Sequence, residues 1–304
     1  MISADLKRRW SRTVAVLILI VASFSSAQEL EPRAYSPSPT GANFVLVTYG
    51  RTTGDVLFDP SIPVTDVVAR INAGAALYGR TFGLFGRAAN IGIALPYIVG
   101  TLEGNLGGEF TSVRRSGLGD GRMRVAVNLV GGPALKPAEF AKRTPHTTLG
   151  VSVVVVAPTG QYDPSKLVNL STNRWVLKPE LGLSVPRGRW TFDVYAGAWL
   201  FGDNTNFYGG SIRSQEPMTV LQGHVSYTIR PRLWLAGDAT FYAGGRTAVD
   251  SVKKDDRQEN SRAGLTLSIP LGRHSLKLAW SEGTTTRIGG DFRTLAVAWQ
   301  YLWF

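Results

Sequence analysis

Residues suited to catalysis are sparse in this chain. It holds three histidines and no cysteine, which excludes disulfides and thiolate metal sites. A hydrolytic triad needs a histidine within hydrogen-bond reach of a nucleophile and an orienting acid. His224, Ser226 and Asp238 form the set that strand alternation would gather on one side. Residues at i and i+2 share a strand face, yet their side chains stand too far apart for an Oγ-to-imidazole bond, and no oxyanion donor is evident. His224 is therefore read as a satisfied polar residue. His146 and His274 fall beside turns. Asp55, Asp59 and Asp163 lie in loops, where Asp59 and Asp163 each precede a proline and initiate turns. No catalytic, cofactor-binding or metal-ligating residue is assigned, and no enzymatic activity is expected.

Charge gives a different direction. The 304 residues carry a formal charge of +11. Residues 1–27 hold four bases and one acid, so the remaining 277 residues keep +8. No basic run is interleaved with an RNA-binding motif, and the lysines and arginines are spread one or two per strand, so nucleic acid is not an expected partner. Instead, period-two alternation sets polar residues opposite apolar ones. The polar set comprises Arg70, Asn72, Arg122, Arg124, Asn128, Lys178, Glu180, Asp193, His224, Arg230, Asp238, Arg262 and Lys277.

The strands that carry these residues define the architecture. With 34 glycines and 44% hydrophobic residues, the chain reads as all-β. Strands are expected at about 43–53, 66–80, 89–102, 118–130, 146–158, 174–186, 189–202, 218–230, 232–245, 261–270 and 273–283, followed by a terminal strand. Both parities of 43–53 are apolar, which leaves its face open. Pro96 marks a bulge, and 137–142 is expected to form a short helical turn. Twelve strands are even in number, and short turns alternate with long polar loops, apart from the long connection 131–145. A secreted sandwich would use strands of about 5–6 residues. These run longer, near the roughly 9–11 that a tilted membrane-crossing strand requires. The expected fold is an antiparallel up-and-down transmembrane β-barrel of 12 strands, with the polar set lining its lumen.

Both chain ends agree with that destination. Lys7, Arg8, Arg9 and Arg12 precede the apolar run 14–22, and Ser25, Ser26 and Ala27 are small. Together they read as a signal peptide over 1–27, cleaved after Ala27. Residues 28–42 read as an irregular periplasmic lead-in, and 43–304 as the barrel. In the last strand Leu295, Val297, Trp299, Tyr301 and Trp303 share one face, while Gln300 takes the other. Such a face suits lipid and an interfacial aromatic girdle. Terminal Phe304 resembles the signal that the barrel-assembly machinery reads, although it is one residue out of phase. The outer membrane, with its lipid and lipopolysaccharide, is thus the expected location.

Several stretches carry a family resemblance: TYGRTTGDVLFDP at 48–60, YGRTFGLFGR at 78–87, LPY at 95–97, NLVGGPAL at 128–135 with PAEF at 137–140, and PTGQYDPSK at 158–166 followed by NRW at 173–175. They resemble the bacterial outer-membrane family described as acting in the meta-pathway of phenol degradation, whose members are often called transporters. The resemblance is densest from 44 to 202 and implies a barrel that passes aromatic or other small organic solutes. It brings no catalytic residues and no cofactor. Two functions stand as expectations. One is a channel for small, anionic or aromatic solutes. The other is a non-conducting structural or surface-receptor barrel that uses the loops 161–174 and 246–260.

Overall fold

A computed structural model describes residues 30–58 and 64–304; the expected signal segment 1–27 and the Asp59 turn lie outside them. In chain order the elements are β1 (Asn43–Leu57), β2 (Val64–Leu84), β3 (Arg87–Leu106), β4 (Glu109–Leu118), β5 (Gly121–Val130), α1 (Pro137–Phe140), β6 (Thr148–Ala157), β7 (Val176–Arg187), β8 (Trp190–Phe201), β9 (Asn204–Phe207), β10 (Ser211–Gln215), β11 (Met218–Arg230), β12 (Leu233–Gly244), β13 (Thr247–Val249), β14 (Val252–Lys253), β15 (Gln258–Leu271), β16 (His274–Thr285) and β17 (Gly289–Trp303).

The sheet closes on itself, because β1 pairs antiparallel with both β2 and β17. Closure removes the unpaired edges that an open sheet would expose. β4 and β5 act as one strand, since both pair with β3, Leu118 opposite Tyr97 and Arg122 opposite Ala94. Gly119 and Asp120 interrupt it. Counted so, the wall is a 12-stranded antiparallel barrel, as the periodicity predicts. The first hairpin after β2 reaches further than expected, with β3 running to Leu106 and β4 returning from Glu109. The short strands β9, β10, β13 and β14 build a separate four-stranded sheet from two long loops. The barrel therefore has a turn end, where Asn43 and Trp303 pair, and a loop end.

The outer surface is apolar. Leu95 and Leu295 are each 59% exposed, and Val47, Val194 and Leu265 are each at least half exposed. Water would not tolerate such a contiguous band. Aromatic rings gather at the turn end: Tyr301 stacks on Trp303 at 5.6 Å, Tyr78 lies 6.3 Å from Trp303, and Trp190 lies 4.9 Å from Tyr227. This is the girdle that a lipid interface favours.

Cross-strand register assigns the faces. Val47 opposes Trp299 and Tyr49 opposes Val297, so the odd residues of β1 face outward, which resolves the ambiguous strand. Arg51 in turn opposes Asn72, and Thr53 opposes Arg70. Directly opposed residues share a face, so Arg70 and Asn72 lie on the outside, contrary to the sequence expectation. Arg70 pairs there with Glu103 at 2.5 Å, and Tyr49 donates to Asn72. The inward face of β2 is Val67, Ala69 and Ile71, which pack with Val56, Ile98, Phe292 and Leu170. In this sector the polar residues face out and the apolar ones face in. The long connection 131–145 also has a reason. It carries α1, and Leu135 accepts from the backbone of Thr40 at 2.8 Å, closing the turn end around the N-terminal segment.

Candidate functional site

The barrel interior is the candidate site, and it begins with the inward residues of β5 to β16. Arg122, Arg124 and Asn128 point inward from β5, as do Lys178 and Glu180 from β7, Asp193 from β8, His224 from β11, Asp238 from β12, Arg262 from β15 and Lys277 from β16, which matches the alternation. Arg230 departs from it. A register shift between Thr228 and Arg230 ends the regular pairing, and Arg230 is exposed at the β11–β12 turn, away from the lumen. With Arg70 and Asn72, three of the expected lining residues therefore lie elsewhere.

The inward polar groups are knitted along the wall. Glu180 accepts from Lys178 at 2.8 Å and from Gln222 at 3.2 Å. His224 Nδ1 lies 2.7 Å from Asp238, whose other oxygen accepts from Thr266 at 2.7 Å. Arg262 donates to Ser281. Burial in a low-dielectric wall makes such pairing costly to break. His224 and Asp238 meet, but Ser226 Oγ and His224 Nε2 have no hydrogen-bond partner among the described residues.

Two segments without periodic pattern occupy this interior. The first is the N-terminal one, read from sequence as a lead-in ahead of the barrel. It is irregular; Leu30 to Tyr35 run inside, and Thr40 and Gly41 bond to Leu135 and Thr81 at the turn end. Arg33 N donates to Asp193 at 3.2 Å, its guanidinium to Thr228 at 2.8 Å, and Ala34 N to Tyr195 at 3.0 Å. Tyr35 is buried, with its hydroxyl 2.8 Å from Ser152 and donating to Glu180 at 2.9 Å. Its ring meets Tyr195 edge-on at 5.0 Å, with Arg124 over it at 5.3 Å. Gly150 and Gly182, directly opposed on β6 and β7, leave the space for the ring. A methyl group on Gly182 would sit 2.1 Å from it.

The second occupant is the loop 158–175. Its anchor is Asp120, set in the break between β4 and β5. That carboxylate accepts from Gly160 N at 3.1 Å, Thr172 N at 2.9 Å and Thr172 Oγ1 at 3.0 Å. Arg115 holds the Val168 carbonyl at 3.0 Å. Val168 and Leu170 are thereby buried against the inner wall. At the loop end a second apolar cluster joins Val154, Val156, Val176, Trp199, Met218, Val220 and Tyr242. The apolar clusters thus lie towards the loop end, where Lys178 stands over the Trp199 ring at 5.3 Å and Arg122 opposes Val156, while Asp193 and His224 lie nearer the turn end. Tyr195 and Trp199 share the parity of Asp193 and so follow from strand alternation, whereas nothing local marks Tyr35, Asp120 or Leu170. Their partners lie far along the chain.

A family model described as "Putative MetA-pathway of phenol degradation" matches residues 40–296. An outer membrane channel of Pseudomonas putida F1 superposes with a TM-score of 0.77 at 22% identity, covering 90% of this chain and 100% of that one. The transport unit of the autotransporter AIDA-I from Escherichia coli superposes with a TM-score of 0.51 at 11% identity, covering 92% and 95%. These likenesses show the barrel fold. No curated protein matches the sequence.

Proposed function

Since the chain belongs to the phenol-degradation family whose model spans residues 40–296, we propose that it is an outer-membrane channel for small organic solutes, aromatic compounds foremost. The observation that carries this reading is the lining of the closed barrel: apolar and aromatic side chains cluster at the loop end, and Asp193, His224 and Asp238 line the interior towards the turn end. An apolar chamber draws a poorly soluble ring from water, and a polar wall lets it leave towards the other side. The short turns then face the periplasm and the long loops the exterior. Residues 1–27 act as the export signal, 43–304 form the barrel, and lipid with lipopolysaccharide surrounds the apolar band. Phe304 and the last strand engage the assembly machinery. Inward cations at Arg122, Arg124, Lys178, Arg262 and Lys277 bias the passage towards anions. On this reading the chain acts by passage of solute, and no catalytic step is assigned to it.

A second reading, a non-conducting barrel serving as scaffold or receptor, is favoured by one observation: Arg33 and Tyr35 of the N-terminal segment are hydrogen-bonded to the inner wall. Reconstituted protein decides between them. Liposomes loaded with benzoate or phenol are expected to exchange solute through the intact protein, and faster through a variant lacking residues 30–37. Absence of exchange in both would sink the channel and leave the receptor.

A further inference from the structure

We propose that Arg174 and Arg213 form a binding site for the carboxylate of small organic acids, placed at the loop end of the lumen. Both are buried, 3% and 5% exposed. Neither forms an ion pair among the described residues. Arg174 donates from Nη2 to Gln215 Oε1 and lies over the Phe201 ring at 4.7 Å. Its Nε and Nη1 have no hydrogen-bond partner among the described residues, and neither has Nε of Arg213. Arg174 precedes β7 and Arg213 belongs to β10, so both stand on the loop side of the barrel wall.

Nearby acids are occupied elsewhere. Asp120 is spent on Gly160 and Thr172, and Asp256 accepts from Thr247 N and Oγ1. Asp203 acts on Arg174 through its charge without closing to a bond. Burial holds both guanidinium pKa values below their ordinary range, Arg174 to about 10, and for Arg213 the adjacent Arg174 charge lowers it further. Two buried cations with unused donors are costly alone. A carboxylate relieves that cost, since the planar fork of a guanidinium matches its two oxygens.

The surroundings select the ligand's body. Phe201 under Arg174 packs against the cluster of Val176, Trp199, Met218, Val220 and Tyr242. An aromatic monocarboxylate would set its charge on the arginines and its ring on this cluster. A bare inorganic anion gains nothing from the second half. This inference deepens the channel reading and rests on it for its physiological meaning, but the binding is measurable without transport.

The experiment is calorimetric titration of the full chain in detergent with benzoate, with benzyl alcohol and with inorganic phosphate. Arg174→Gln and Arg213→Gln are titrated alongside, and the barrel state of each is checked by heat-dependent gel mobility. Benzoate is expected to bind saturably, with affinity falling about tenfold or more in either variant as charged hydrogen bonds are lost. Benzyl alcohol should bind far more weakly. Absence of benzoate binding, or equal affinity in folded variants, overturns the site. Phosphate binding as tight as benzoate overturns the organic-acid assignment. Arginine-dependent benzoate binding in a protein that exchanges no solute would refute the channel and keep the site. Exchange without such binding would do the reverse.

Discussion

Tyr35 fits the interior because two opposed strands carry glycine where they pass it. Any side chain at Gly182 must take the place of the ring, with which a Cβ would collide at 2.1 Å. Its backbone φ is not in the left-handed region, so the barrel itself would accept a larger residue. Gly182→Val is therefore expected to evict Tyr35 while leaving the barrel folded, raising single-channel conductance in planar bilayers. Unchanged conductance in a folded Gly182→Val protein would show that the ring does not obstruct the path. Tyr35→Phe is gentler. It strips Glu180 and Ser152 of a buried partner, a loss of about 1–3 kcal/mol, and should make residues 30–42 more accessible to protease without changing the barrel's heat stability.

Among the elements, the interrupted strand β4–β5 exists to hold a loop. At the break the Asp120 carboxylate accepts from the backbone of Gly160 and Thr172. Asp120→Ala removes three hydrogen bonds to a charged acceptor, and trypsin is expected to cut after Lys166 several-fold faster while barrel mobility on gels stays unchanged. An unaltered cleavage rate would mean that Val168 and Leu170 alone retain the loop. The last strand offers the opposite case. β17 ends at Trp303, and Phe304 is 62% exposed, so it contributes little to packing. Deleting Phe304 should lower the yield of membrane-inserted protein in cells more than it lowers the melting point of the purified barrel. Normal insertion of the deletion variant would remove any role in assembly.

At the scale of the whole molecule, the alternating pattern already contained most of the architecture. Twelve strands, their outward aliphatic faces and the inward Arg122, Lys178, Asp193 and Asp238 follow from a side-chain period of two, which depends only on backbone geometry. That period states which residues share a face and leaves open which face is inside. Where one parity was polar, burial settled the choice; in β2 it misled, because Val67, Ala69 and Ile71 pack inside and Arg70 and Asn72 face out. There the hydrogen-bonded register with β1 decided. The lumen's contents were likewise decided only by tertiary structure. Residues 30–42 and 158–175 carry no periodicity, and their places come from contacts such as Tyr35 with Glu180 and Asp120 with Thr172. Local sequence specifies a wall because a strand's alternation is local, whereas a lumen is filled by whichever distant groups satisfy one another within it.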